Sequence, residues 1–252
     1  LTFEQYLDRV VPNSRIKKGR ALLKENRELL DEVSRKFGVQ PRFIVALWGV
    51  ETDFGRITGG LPVIASLATL AYDGRRSAFF RKELLLALKI LEQGHIAHGD
   101  MKGSWAGAMG QCQFMPSSFH NFAIDYDGDG HKDIWGTKAD VFGSIANYLS
   151  KSGWNETQTW GRPVSLPADF DKSLVDSKVT KTMREWEALG VARRDGTSLP
   201  RRNLTSQLIV PGDGELAPAY LAYSNYEVIL KWNRSSYFAT AVGTLAEAIR
   251  LE

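Results

Sequence analysis

The 252-residue chain is 43% hydrophobic and 24% charged, enough apolar material for a substantial core in one large domain or in two lobes sharing a cleft. Its 32 Lys and Arg against 29 Asp and Glu leave a formal charge of +3, and the basic residues are spread out apart from Lys17-Lys18, Arg75-Arg76 and Arg201-Arg202, which excludes a nucleic-acid footprint. A single cysteine, Cys112, excludes an internal disulfide framework and a cysteine metal cluster, and no apolar run approaches the roughly 20 residues of a membrane-spanning helix.

The chain opens at Leu1 without a methionine, so removal of an upstream segment, of the kind that carries a signal peptide or lipid anchor, is expected. Over residues 13–37, Leu22, Leu23, Leu29, Leu30, Val33 and Phe37 recur at helical spacing and predict one helix, capped by Asn13 or Ser14 and ended by Gly38. Pro41 suits the first turn of a second helix, which carries "VALWGVETDFG" and is expected to stop near Gly55. Residues 77–93, "SAFFRKELLLALKILEQ", read as a third helix closed by Gly94. Pro116 and Ser117 mark a further helix start, residues 141–151 read as a helix with Gly153 beyond it, and 184–189 and 239–251 read as helical. Strands are scarce: "SQLIV" (206–210) and "YEVILKW" (226–232) are the candidates, separated by the turn-rich "PGDGELAP". Residues 155–218 are richer in Pro, Gly and charge and are expected to form a partly separate lobe. The fold class is mainly α (α+β), with a small β element.

In "VALWGVETDFG", Glu51 ends a run containing Phe43, Ile44, Val45, Ala46, Leu47, Trp48 and Val50. Burying a carboxylate is costly, so the ordinary reading is an exposed helix face or a core carboxylate paired with a cation such as Arg56. The functional reading is an acid kept protonated near neutral pH, because desolvation and the negative end of a helix dipole both disfavour ionisation. Such an acid can donate a proton to a leaving oxygen. The stretch "GSWAGAMGQCQFMPSSF" (103–119) is rich in small residues, and Gly103, Gly107 and Gly110 permit close backbone approach. It reads either as the floor of a groove, with Ser104 and Gln113 facing a neutral polar ligand, or as close helix packing.

The blocks "WGVETDFG", "GSWAGAMGQCQFMPSSF", "DYDGDGHKDIW", "GSIANYLSKSGW" and "VILKWNRSSYFATAV" stand in the order seen in the lytic transglycosylase B family of bacterial cell-wall enzymes. The chain resembles that family over nearly its whole length, most strongly over 41–155 and 220–248. The resemblance implies a lysozyme-like helical catalytic core with extra lobes. It implies cleavage, without water, of the β-1,4 bond between N-acetylmuramic acid and N-acetylglucosamine in peptidoglycan, leaving a 1,6-anhydromuramoyl end. Glu51 matches the single catalytic position, Ser104 and Gln113 match sugar-contacting positions, and Tyr148 and Asn233 match further cleft residues. Arg75 or Arg76 is expected along the groove, and Arg76 is carried forward. An aromatic is expected just beyond Asn233, where Tyr237 and Phe238 compete and Tyr237 is carried forward. Cys112 replaces a small glycine-like residue, which predicts a narrower or reactive floor. The chain is then one catalytic unit over 1–252. Its approximate lobes are a helical one (1–40 with 60–100), a lysozyme-like core (41–59 with 101–155), a variable lobe (156–218) and a return to the core (219–252).

"DYDGDGHKDIWGTKAD" starts like an EF-hand loop: Asp125, Asp127 and Asp129 fill positions one, three and five, Gly130 gives the turn, and His131 offers its backbone carbonyl rather than its ring. Gly136 stands where the bidentate Glu belongs, so Asp140 closes a longer loop, with Asp133 as a direct or water-mediated ligand. The alternative is an Asp/Gly-rich surface turn. The all-oxygen donor set points to structural calcium, with sodium as the alternative ion, and no catalytic cofactor is expected. Trp105 is the tryptophan advanced for sugar contact.

Two other functions compete: a muramidase that admits water and needs a second carboxylate such as Asp53, and an inactive peptidoglycan-binding scaffold. Peptidoglycan glycan strands are the expected partner, with cell-wall synthesis enzymes as a further class, a monomer as the expected state, and no nucleic acid. The substrate implies the periplasm, with anchoring to the outer membrane through the removed segment as the accompanying expectation.

Overall fold

The computed structural model describes residues 1–212 and 218–251, so most of the turn "PGDGELAP" lies outside the described residues. In chain order the elements are α1 (Phe3–Val10), α2 (Asn13–Glu25), α3 (Arg27–Phe37), α4 (Pro41–Thr52), β1 (Leu61–Pro62), α5 (Val63–Tyr72), α6 (Ser77–Glu92), β2 (Lys102–Gly103), α7 (Pro116–Phe122), α8 (Lys138–Lys151), β3 (Gly161–Ser165), β4 (Thr180–Thr182), α9 (Met183–Ala188), β5 (Ala192–Arg193), β6 (Thr205–Ile209), β7 (Ala219–Ala222), α10 (Ser224–Trp232) and α11 (Ser236–Ala248). The mainly helical class with a small sheet is the observed one. The chain forms two compact units, one of Ser14–Lys151 with the chain end from Ile249, the other of Leu1–Asn13 with Ser152–Ala248.

The helical unit is built around α4. Phe43, Ile44, Val45, Ala46 and Leu47 are all fully buried, so this helix is apolar on nearly every side. Helix α8 packs on α3 and α4, α5 packs on α6, and the ring of Trp48 in α4 meets Phe142 of α8 edge-on at 5.1 Å. The helix expected over 13–37 is two helices, α2 and α3. Asn26 interrupts it with φ −104° and ψ 22°, its side-chain amide donating to the Leu22 carbonyl at 2.9 Å, the local competition with backbone bonding that makes Asn a poor helix-interior residue.

The second unit holds a five-stranded antiparallel sheet in the order β4-β6-β7-β3-β5. One face buries Val164, Leu208 and Leu221 against Met183 and Trp186 of α9. "SQLIV" is a strand as expected, but "YEVILKW" is helical, lying in α10. A strand would place Ile229 on the wet face beside Glu227 and Lys231, whereas the helix buries Tyr226, Val228 and Ile229 together. Asn225 fixes the start of that helix, exchanging bonds with the Asn155 N–H (2.7 Å) and the carbonyls of Asn155 (2.9 Å) and Gln158 (3.0 Å).

Candidate active site

Glu51 occupies the last turn of α4 and is half-buried. The helix ends abruptly, with Asp53, Phe54 and Gly55 all left-handed at φ +51°, +60° and +80°. Two consecutive non-glycine residues in that region are costly and persist only where the surroundings fix them. Asp53 Oδ1 accepts from Arg15 Nε at 3.3 Å and Oδ2 from Arg56 Nε at 2.6 Å, with Lys18 Nζ 4.0 Å away. The Phe54 ring meets Trp48 edge-on at 5.6 Å beneath the Lys18 ammonium. Burial raises the Asp53 carboxyl, but Arg56, Lys18 and Arg15 outweigh it and hold the group below its ordinary value of 3.8. The carboxylate that a muramidase reading would need is thus part of an ion cluster.

Segment 103–114 is folded against this turn by Gln111. Its side-chain carbonyl accepts from Trp48 Nε1 at 2.8 Å and its amide donates to the Trp135 carbonyl at 2.7 Å. The Thr52 hydroxyl reaches the carbonyls of Trp48 (3.2 Å) and Gln111 (3.1 Å) and accepts the Gly55 N–H at 3.0 Å. Gly55 must be glycine twice over, since a Cβ there would also sit 2.2 Å from the Gln111 side-chain oxygen. Within the segment, Gly103 bridges Met109 and Met109 bridges Phe114, folding it back on itself.

Ser104 and Gln113 come from the two ends of this fold. The Ser104 oxygen accepts from the N–H groups of Ala106 (3.3 Å) and Ala108 (3.0 Å), and the side chain is half-buried. Gln113, at φ +50°, donates its amide to the carbonyls of Gly110 (2.9 Å) and Thr58 (3.0 Å). Trp105 beside them is 69% exposed. Cys112 is fully buried, its Sγ 3.7 Å from the Val141 carbonyl. Burial first, then the charges of Glu51 and Asp140, push its thiol well above the ordinary 9.0, so the structure corrects the reactive reading of this cysteine: it is a packed, protonated side chain. Tyr148 of α8 is half-buried between Phe122 (4.4 Å) and Phe114 (5.9 Å), and burial pushes its hydroxyl up. Arg76, at the start of α6, is exposed and stacks on Phe79 at 4.6 Å.

Asn233 and Tyr237 belong to the sheet-bearing unit. Asn233 ends α10, exposed, and its side-chain oxygen accepts the Ser235 N–H at 3.1 Å. The Tyr237 ring rests against Phe3 (5.1 Å) and Tyr6 (5.5 Å), while Phe238 is buried.

The aspartate loop brings together Asp125, Asp127 and Asp140, whose carboxylate oxygens lie within 4.8 Å of one another. Asp129 is not among them: its Oδ1 accepts the His131 N–H at 2.8 Å. The His131 ring is directed to the Gly94 carbonyl at 3.0 Å. Burial raises the Asp140 carboxyl, against N–H groups of Tyr126 and Asp133 at 2.7 Å that lower it. Three carboxylates gathered with oxygen donors only are the chemistry of a hard cation site.

Two residues escaped the sequence reading. Gln111 carried no signal, being one polar residue in a glycine-rich run. Glu83 had one, an acid within "KELLLAL": it is 1% exposed and its carboxylate accepts the Ser117 N–H at 2.8 Å, anchoring the first turn of α7.

A family model described as "Transglycosylase SLT domain" matches residues 1–247. The membrane-bound lytic murein transglycosylase B of Escherichia coli (strain K12) is 29% identical over 253 residues, 98% of this chain and 67% of that protein. SltB3 from Pseudomonas aeruginosa, solved in complex with NAG-anhNAM-pentapeptide and with NAG-NAM-pentapeptide, is 43% identical and superposes with a TM-score of 0.95 over 99% of this chain and 67% of that one. The Escherichia coli lytic transglycosylase Slt35 in complex with calcium is 29% identical, with a TM-score of 0.82 over 98% of this chain and 78% of that one.

Proposed function

The chain belongs to the transglycosylase SLT domain family and is a lytic transglycosylase acting on peptidoglycan glycan strands, and on that premise we propose that Glu51 is its one acid–base catalyst. What carries this reading is the placement of Glu51, half-buried at the end of α4 against segment 103–114, while the neighbouring carboxylate Asp53 is taken up by three cations. Most glycosidases that use water as acceptor employ a second carboxylate as base or nucleophile. Here the substrate supplies that function. Glu51 gives its proton to the N-acetylglucosamine O4 as the bond from O4 to the muramic acid C1 breaks, and the N-acetyl oxygen of the same muramic acid bonds to C1. The Glu51 carboxylate then takes the proton of the C6 hydroxyl while O6 bonds to C1 and releases the N-acetyl oxygen. Atoms balance without water, and the product is the 1,6-anhydro end.

Ser104 and Gln113 act as the polar contacts of the sugar, held rigid by their own backbone bonds so that little ordering remains at binding. Tyr148 and Arg76 extend the contact surface of the helical unit, and Asn233 and Tyr237 are sugar contacts offered by the sheet-bearing unit. Tyr237 suits that role better than Phe238, which is buried in the core. Asp125, Asp127 and Asp140 hold calcium, with sodium as the alternative. A cation held there would be structural: it would offset the mutual repulsion of three gathered carboxylates and tie the loop to the first turn of α8. The substrate places the reaction in the periplasm, and no described helix is long and apolar enough to cross a membrane.

Mass spectrometry of muropeptides released from purified peptidoglycan tests the assignment. Products lighter by one water than reducing muropeptides are expected, and Glu51→Gln is expected to lower their rate by about 10²–10⁴-fold or more, the range of general acid–base catalysis. Reducing products, or full activity in Glu51→Gln, would refute it.

A further inference from the structure

The pair Arg201-Arg202 has no part in glycan cleavage as described. In the sheet-bearing unit it lines, with Arg184, a cavity of about 340 Å³. One carboxylate shares that cavity, Glu187, and it already accepts the Leu199 N–H at 2.6 Å. None of the three arginines enters an ion pair among the described residues. Three cations round a concavity with one carboxylate leave an excess of positive charge that favours an anionic ligand, and guanidinium forks match a carboxylate or phosphate bidentately.

A second cavity of about 530 Å³ adjoins the first at Asn203, which lines both. Its walls are polar, with Thr205, Gln207 and Ser224 among them and one carboxylate, Glu227. Ser206 lines it too, 2% exposed, with a hydroxyl that has no hydrogen-bond partner in the protein. A buried hydroxyl left unsatisfied is costly, so the cavity suits a ligand that brings its own donors and acceptors. A phosphate would satisfy the arginines and leave the second cavity unused. A membrane surface would call for basic residues on a flat or convex face.

We propose that these two cavities dock a stem peptide of peptidoglycan, its amides in the second, polar cavity and its terminal carboxylate among Arg184, Arg201 and Arg202. The inference rests on the reading of the chain as a peptidoglycan-cleaving enzyme. A strand repeats its peptide along its length, so the dock need not adjoin the bond being cut.

The test measures calorimetric binding of NAG-NAM-pentapeptide to the Glu51→Gln protein. The comparison ligands are the same compound with a C-terminal amide, NAG-NAM without peptide, and inorganic phosphate. Amidation is expected to weaken binding about tenfold, as is Arg184→Gln or Arg202→Gln, with Arg202→Lys recovering part of the loss and the peptide-free ligand unaffected. All three arginines are exposed, so these variants leave the core intact. Equal affinity for acid and amide, or arginine variants that bind as tightly as their parent, overturns the proposal. So does phosphate competing as strongly as the peptide, which would make this a general anion site. A preference for acid over amide that survives in a protein releasing no anhydro products would sink the catalytic reading and leave the dock standing.

Discussion

At the scale of single residues, Gln111 joins segment 103–114 to the acid-bearing turn by one side-chain bond and one through its backbone carbonyl, and its amide ties both to the Trp135 carbonyl. Gln111→Leu keeps the volume but strands the Trp48 indole N–H, on a side chain 3% exposed, and removes the donor to the Trp135 carbonyl. The expected cost is about 2–4 kcal/mol, read by calorimetry as a fall of about 5–10 °C in Tm. On the role proposed for Glu51, the effect of Gln111→Leu on turnover should exceed its effect on KM, since Gln111 bonds to Trp48 and Thr52 on either side of Glu51; an unchanged kcat would refute that role. Asp53 gives a pH prediction. Its folded value lies below 3.8, so its ion cluster stabilises the protein above that pH and the contribution disappears as pH falls through the folded value. Asp53→Asn should therefore lower stability at pH 7, and its difference from the parent protein in denaturant titrations should narrow as pH falls below 3.8; a gap independent of pH would contradict the ion-cluster account. The apolar run only raised the question of Glu51, and its assignment rests on the family blocks around it; Gln111 carried no signal, since its partners lie 63 and 24 residues away. Glu83 marks the limit of the rule: its sequence context resembles that of Glu51, yet its carboxylate anchors a helix start.

At the scale of elements, the aspartate loop and α8 form one device. Asp140 lies in the first turn of α8, while Asp125 and Asp127 come from the loop before it. A cation joining them stabilises the folded state alone, by about 2.7 kcal/mol at a hundredfold excess over Kd. In a chain of this size that is a rise of about 5–10 °C in Tm on adding calcium after chelation. Asp127→Asn, at an exposed position, should abolish the rise while leaving the metal-free Tm nearly unchanged. An equal response to calcium in that variant would refute the assignment. The loop was legible because its spacing is carried by residue type. The strands were not: β7 is the four-residue "AYLA", and β3 contains Pro163. The buried residues of α10 fit both a period of two and a helical face over seven residues, and only the burial of Ile229 decides between them.

At the scale of the whole molecule, the chain does not fill its units in order. The first thirteen residues fold with Ser152–Ala248, so α1 packs on α11 although more than two hundred residues separate them. Phe3 is the contact that matters most, 3% exposed and edge-on to Tyr237 at 5.1 Å and Tyr220 at 6.4 Å. Nothing local announces this, because "FEQYLDRV" is too short to carry a periodic signal and its partners are remote. Phe3→Ala opens a cavity whose walls are fixed by the sheet and α11, at an expected cost of about 3–5 kcal/mol. Because the perturbed contacts all lie within one unit, amide hydrogen exchange should accelerate in β7 and α11, while α4 and α8, which belong to the other unit, keep their protection. Acceleration of equal size in all four elements would mean that the two units open together as one cooperative body. Loss confined to β7 and α11 would instead show that the sheet-bearing unit opens while α4 and α8 stay closed.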